Sequence, residues 1–128
     1  MSYIPIFIFV IVLLSISTLF VHAKNYSVNS PLLISPQEAR DLLRNNHFDA
    51  VLDVRTGAER KLLGFYPGSL HIPSASIPSR ITEYIPVKVR RILIYCNTGQ
   101  RARMAAETLY AMGYHNVRYI SGSYTDLL

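Results

Sequence analysis

Arg91-Ile92-Leu93-Ile94-Tyr95-Cys96-Asn97-Thr98-Gly99-Gln100-Arg101 is the stretch whose reading decides the fold. Ile92 to Tyr95 are β-branched, aliphatic and aromatic, the composition of a central strand buried on both faces. A helical pattern follows over 103–112, with Ala105, Leu109 and Met112 on its apolar face and Ala106 and Tyr110 beside it. Gly113 stops it, as glycine does at helix C-termini. Residues 97–101 then form a loop that opens onto a helix N-terminus, where free amides and the helix dipole favour an anion. Cys96, the single cysteine of the chain, stands at the start of that loop. Free amides and the Arg101 guanidinium would favour its thiolate, and Gly99 lets the backbone approach a ligand without a side chain in the way. The opposing reading is an inert buried cysteine, a common fate of free thiols.

The flanking segments extend the pattern. Phe48 to Arg55 reads as a strand ending in Asp53 and Arg55, followed by a turn at Thr56-Gly57 and a polar stretch from Ala58 to Lys61. Pro67-Gly68 is a turn signal, and Leu70 to Ile72 form a short strand closed by Pro73. Val117 to Ile120 is a fourth strand, followed by Ser121-Gly122-Ser123. Ser35, Pro36 and Glu38 mark a helix start, by N-cap, first-turn proline and capping-box spacing. Ala39, Leu42 and Leu43 supply that helix's apolar face, and Asn45-Asn46 end it. A second short helix lies between Ile77 and Pro86, and residues 24–33 read as a linker.

These pieces, in this order, resemble the rhodanese domain. The resemblance rests on Leu52-Asp53-Val54-Arg55, on Gly64 with Pro67 to Pro73, on the loop Cys96 to Arg101, and on Gly113 to Gly122. It covers residues 34–128. It implies an α/β fold with a mostly parallel central sheet flanked by helices on both faces. It also implies a sulfurtransferase: Cys96 takes a sulfane sulfur from a donor such as thiosulfate or a protein persulfide. The persulfide so formed passes that sulfur to a thiol or cyanide acceptor. By the same resemblance, the backbone amides of Asn97, Thr98, Gly99, Gln100 and Arg101 bind the outer sulfur and the departing anion, Arg101 closes the loop, and Asp53 and Arg55 brace it.

Persulfide formation is nucleophilic catalysis, and it needs an ionised cysteine with donors aimed at negative charge. No histidine adjoins Cys96, so no general base is visible in the sequence. Four residues separate Cys96 from Arg101. The dual-specificity cell-cycle phosphatases, which share this fold, have a loop one residue longer that encircles phosphate, so the length here disfavours phosphoryl transfer. Three departures from the resemblance stand out. Asn97 occupies a position where a basic residue is common, which points to a donor other than thiosulfate. Ser123 replaces the second glycine of the terminal pattern. Leu127 falls where an aromatic is common, and the last helix is at most a stub. The alternatives are a non-catalytic binding or regulatory module on a membrane, and a phosphatase or arsenate reductase using the same cysteine.

The chain has 128 residues and a net charge of +5, enough length after its first two dozen residues for one modest core. Its Lys and Arg residues form no dense run interleaved with aromatics, so they read as solvated faces and an anion-attracting loop rim rather than a nucleic-acid surface. His71 and His115 are isolated, no metal-ligand spacing occurs and no cofactor is implied. Ile4 to Val21 is an almost unbroken apolar run, broken by Pro5, Ser15, Ser17 and Thr18. As a helix it would reach about 27 Å, close to a bilayer core. Residues 1–23 therefore read as a hydrophobic helix, either a single-pass membrane anchor through residues 4–21 or a signal peptide cleaved near Ala23. The absence of a basic residue before the run favours the uncleaved anchor. Positive charge only after it, at Lys24, Arg40 and Arg44, favours a cytoplasmic domain. A secreted or lumenal domain is the alternative, in which Asn25-Tyr26-Ser27 would be a glycosylation acceptor.

Overall fold

A computed structural model describes residues 30–128; the expected N-terminal hydrophobic helix lies outside the described residues. Strand β4 (Ile92–Tyr95) is buried at every position, as its unbroken apolar composition requires. It pairs in parallel with β2 (Ala50–Asp53) on one side and β5 (Val117–Ile120) on the other. Strand β1 (Leu33–Ile34) adds outside β5, and β3 (Leu70–His71) outside β2. The order is β1-β5-β4-β2-β3, with every pairing parallel. Parallel strands need crossover connections, and helices supply them here.

Those helices cover both faces. Ile92 and Ile94 point to one face, where they pack with Ile77 and Ile81 of α3 (Ile77–Tyr84) and with Ala102, Ala105, Ala106 and Leu109 of α4 (Gln100–Ala111). Leu93 and Tyr95 point to the other, against Ala39, Leu42 and Leu43 of α1 (Pro36–Arg44) and Leu127. This alternation follows from the two-residue period of a strand. It also puts Cys96, next in register after Ile94, on the α4 face. Among the described residues no helix is long and apolar enough to cross a membrane.

Several boundaries differ from the sequence-based expectations. Helix α4 begins at Gln100 rather than Arg103, and its outer face carries Tyr110, which is exposed. The polar stretch after Thr56 is a helix, α2 (Gly57–Leu63), with a complete Thr56/Glu59 capping box and no buried residue. Leu33, read as the last residue of the linker, and Ile34, the first of the domain, form β1 by pairing with Tyr119 and Ile120. The C-terminal stub is a 3-10 turn, Tyr124–Leu127, that docks on the core: Leu127 is buried and Arg40 Nη1 donates to the Asp126 carbonyl at 2.7 Å.

Candidate active site

The loop after β4 is shaped by one glycine. Gly99 has φ +104, a left-handed conformation, and a Cβ there would lie 2.7 Å from the Ser121 Cα and 3.2 Å from the Ile120 carbonyl oxygen. Glycine thus lets the loop fold back against the end of β5 and start α4 as its N-cap. The turn brings two amides to the sulfur. Gly99 N donates to Cys96 Sγ at 3.1 Å and Ala102 N at 3.4 Å. Two N–H dipoles at a helix N-terminus converging on one sulfur are suited to holding negative charge there. Cys96 itself is 1 % exposed, so the thiol forms the floor of the loop.

Around this floor runs a chain of charge-assisted hydrogen bonds. Asp53 is fully buried and takes both Nε and Nη2 of Arg55, at 3.0 and 2.9 Å, in a bidentate pair. It also accepts from the Tyr95 hydroxyl at 3.1 Å and from Arg60 Nη1 at 3.2 Å. Burial pushes the Asp53 carboxyl up, but the bonds from Arg55 outweigh it and hold the group below its ordinary value. Arg55, likewise buried, donates to the Gly64 carbonyl at 2.6 Å and reaches Asn97 Oδ1 at 3.4 Å. Asp53 and Arg55 thus meet the loop through Asn97.

Two contributors lie outside the expected set: the Ala102 amide, one residue beyond the expected 97–101 loop, and the side chain of Glu59. Its carboxylate receives Arg101 Nη1 and Nη2 at 2.6 and 2.8 Å, and Asn97 Nδ2 at 2.6 Å. The Thr56 amide and hydroxyl donate to it as well. The Arg101 guanidinium beside it holds the Glu59 carboxyl well below the usual carboxylate range. Arg101 was expected to aim its charge at Cys96; instead its fork is occupied by Glu59, and the direct donors to sulfur are the two amides. The signal for Glu59 was present in the sequence, in the Thr56-Gly57-Ala58-Glu59 capping-box spacing. Its approach to Arg101, 42 residues away, was not.

Of the remaining loop residues, Gln100 is the first residue of α4 and is exposed, as is Thr98, whose carbonyl accepts from Ser121 Oγ at 3.3 Å. His71 Nε2 lies 2.7 Å from the Arg55 carbonyl, which fits packing support rather than proton transfer at the sulfur. Among the described residues no three His, Cys, Asp or Glu side chains converge as a metal site would require.

Comparison with known proteins agrees with this architecture. A curated sulfurtransferase of Allochromatium vinosum is 39 % identical over 72 residues, 56 % of this chain; the match spans 64 % of the relative's length. A human single-domain sulfurtransferase superposes with a TM-score of 0.61 at 23 % identity, over 74 % of this chain and 93 % of that one, which speaks for the fold alone. An Escherichia coli rhodanese solved with anions superposes with a TM-score of 0.51 at 29 % identity, covering 60 % of this chain and 88 % of that one. Residues 35–128 match the family described as the rhodanese-like domain, and the chain belongs to that family.

Proposed function

We propose that the domain is a sulfurtransferase that carries a sulfane sulfur on Cys96. The observation that supports this most directly is the pair of amides, Gly99 and Ala102, donating to Cys96 Sγ. In the reaction the Cys96 thiolate attacks the outer sulfur of a donor, a new S–S bond forms, and the bond to the donor breaks with its electron pair on the leaving group. For thiosulfate the leaving group is sulfite; for a persulfide it is a thiolate. The amides and the helix dipole offset the negative charge on the terminal sulfur of Cys96–S–S⁻. A thiol or cyanide acceptor then attacks that terminal sulfur and restores the Cys96 thiolate. Capture of one sulfur atom by Cys96, absent in Cys96→Ser, tests the assignment. Turnover that survives Cys96→Ser overturns it.

A second reading, a non-catalytic binding module, is favoured by one observation: Cys96 is 1 % exposed. The same measurement separates the two, because a module of that kind captures no sulfur. Hydrolysis of an aryl phosphate or reduction of arsenate, dependent on Cys96, would instead favour the phosphatase or reductase reading. The apolar run Ile4 to Val21 supports tethering of the domain to a membrane, with the catalytic domain cytoplasmic. Retention in the membrane pellet after alkaline extraction, with the N-terminus intact by mass, is the expected result; a soluble protein beginning after Ala23 would support cleavage.

A further inference from the structure

Every guanidinium around the Cys96 loop already faces a carboxylate. Arg55 and Arg60 share Asp53, Arg103 lies 3.5 Å from Glu107, and Arg101 is held bidentately by Glu59. Asn97, the residue after the cysteine, brings no charge and spends its amide on the same carboxylate. These four guanidinium groups face three carboxylates, so the rim that meets a donor keeps one net positive charge, that of the Arg55 and Arg60 pair on Asp53, and none of it comes from Arg101, although the chain as a whole carries +5.

Resting on the sulfurtransferase reading, we infer that Glu59 is a specificity determinant: by occupying Arg101 it disfavours dianionic sulfur donors relative to donors of lower charge. A dianion such as thiosulfate has to compete with the Glu59 carboxylate for the Arg101 fork, or sit beside that carboxylate without a free cation. A monoanionic thiosulfonate or the persulfide of a neutral thiol carries less charge to be repelled and can be served by the two amides alone. The chemistry is otherwise the same. Attack by the Cys96 thiolate on the outer sulfur expels sulfite from thiosulfate and a sulfinate from a thiosulfonate, with an identical persulfide left on the enzyme.

That matched pair of donors supplies the test. Sulfur transfer to cyanide is measured with thiosulfate and with methanethiosulfonate anion, for the full chain and for Glu59→Gln. Glutamine keeps the capping-box acceptor and removes the charge. The expected result is that kcat/KM for thiosulfate rises about fivefold to tenfold relative to methanethiosulfonate, mainly through KM, and that added salt erases the gain. A purely structural role for Glu59 would move both donors together. Arg101→Gln, which leaves the Glu59 carboxylate bare at the rim, is expected to shift the preference the other way and serves if Glu59→Gln does not fold. A donor ratio unmoved by either variant and by salt overturns the inference while leaving the sulfurtransferase reading in place. No transfer from either donor by the unaltered protein removes that reading and the inference together.

Discussion

At the residue scale the site is a string of obligatory pairings: Asp53 to Arg55, Arg55 to Asn97, Asn97 to Glu59 and Glu59 to Arg101. Its buried end is the most sensitive. Arg55→Met leaves the Asp53 carboxylate without its bidentate partner, and removing one member of a buried pair typically costs about 3 kcal/mol or more. Urea unfolding is expected to show that loss; a variant within about 0.5 kcal/mol of the parent would mean that Arg60 and Tyr95 suffice. Gly99→Ala meets two obstacles, the left-handed φ and the approach of the Ser121 backbone. It is expected to lower stability by at least about 1 kcal/mol and to slow sulfur capture in proportion to the displaced amide. Unchanged capture would mean that the Gly99 N–H is dispensable.

At the element scale, α2 shows what a sequence can hide. It has no apolar face to read: Leu62 and Leu63 are exposed and no residue of the helix is buried. Its start is fixed by capping, so Thr56→Ala should destabilise the protein by about 1 kcal/mol and loosen Glu59, measurable as a lower thermal midpoint; no change would leave the Arg101 ion pair as the element's main anchor. The elements with a plain apolar signal, the unbroken run of β4 and the Ala105, Leu109 face of α4, were legible, because burial dictates their composition. Two-residue β1 was not, since a strand that short has no period and exists only by pairing with β5. Helix α4 starts three residues early because Gly99 caps it with backbone alone, without the side-chain acceptor that usually marks a helix start. In the site the cysteine loop was readable as a local motif, while the Glu59–Arg101 contact is a tertiary event that no local pattern encodes.

At the scale of the whole molecule, two of the three carboxyls held low in the folded state among the described residues, Asp53 and Glu59 (the third is the exposed Asp49), tie the response to acid to the site. Their ordinary values are 3.8 for Asp53 and 4.5 for Glu59, and both lie lower when folded. The unfolded chain therefore binds protons first as pH falls, so this contribution to stability is complete above about pH 5 and is lost progressively as pH drops through the folded values. Urea midpoints should fall steeply between about pH 5 and pH 3, less steeply in Glu59→Gln; parallel curves for the two proteins would exclude Glu59 as a source. The parallel sheet serves the chemistry by placing Cys96 at the end of its central strand, where a loop and a helix N-terminus meet. The measurement that reaches the central claim most directly is the intact mass of the full chain after incubation with methanethiosulfonate anion. The account predicts the gain of one sulfur atom, removed by cyanide and absent in Cys96→Ser. An unchanged mass, or the same gain in Cys96→Ser, would contradict it.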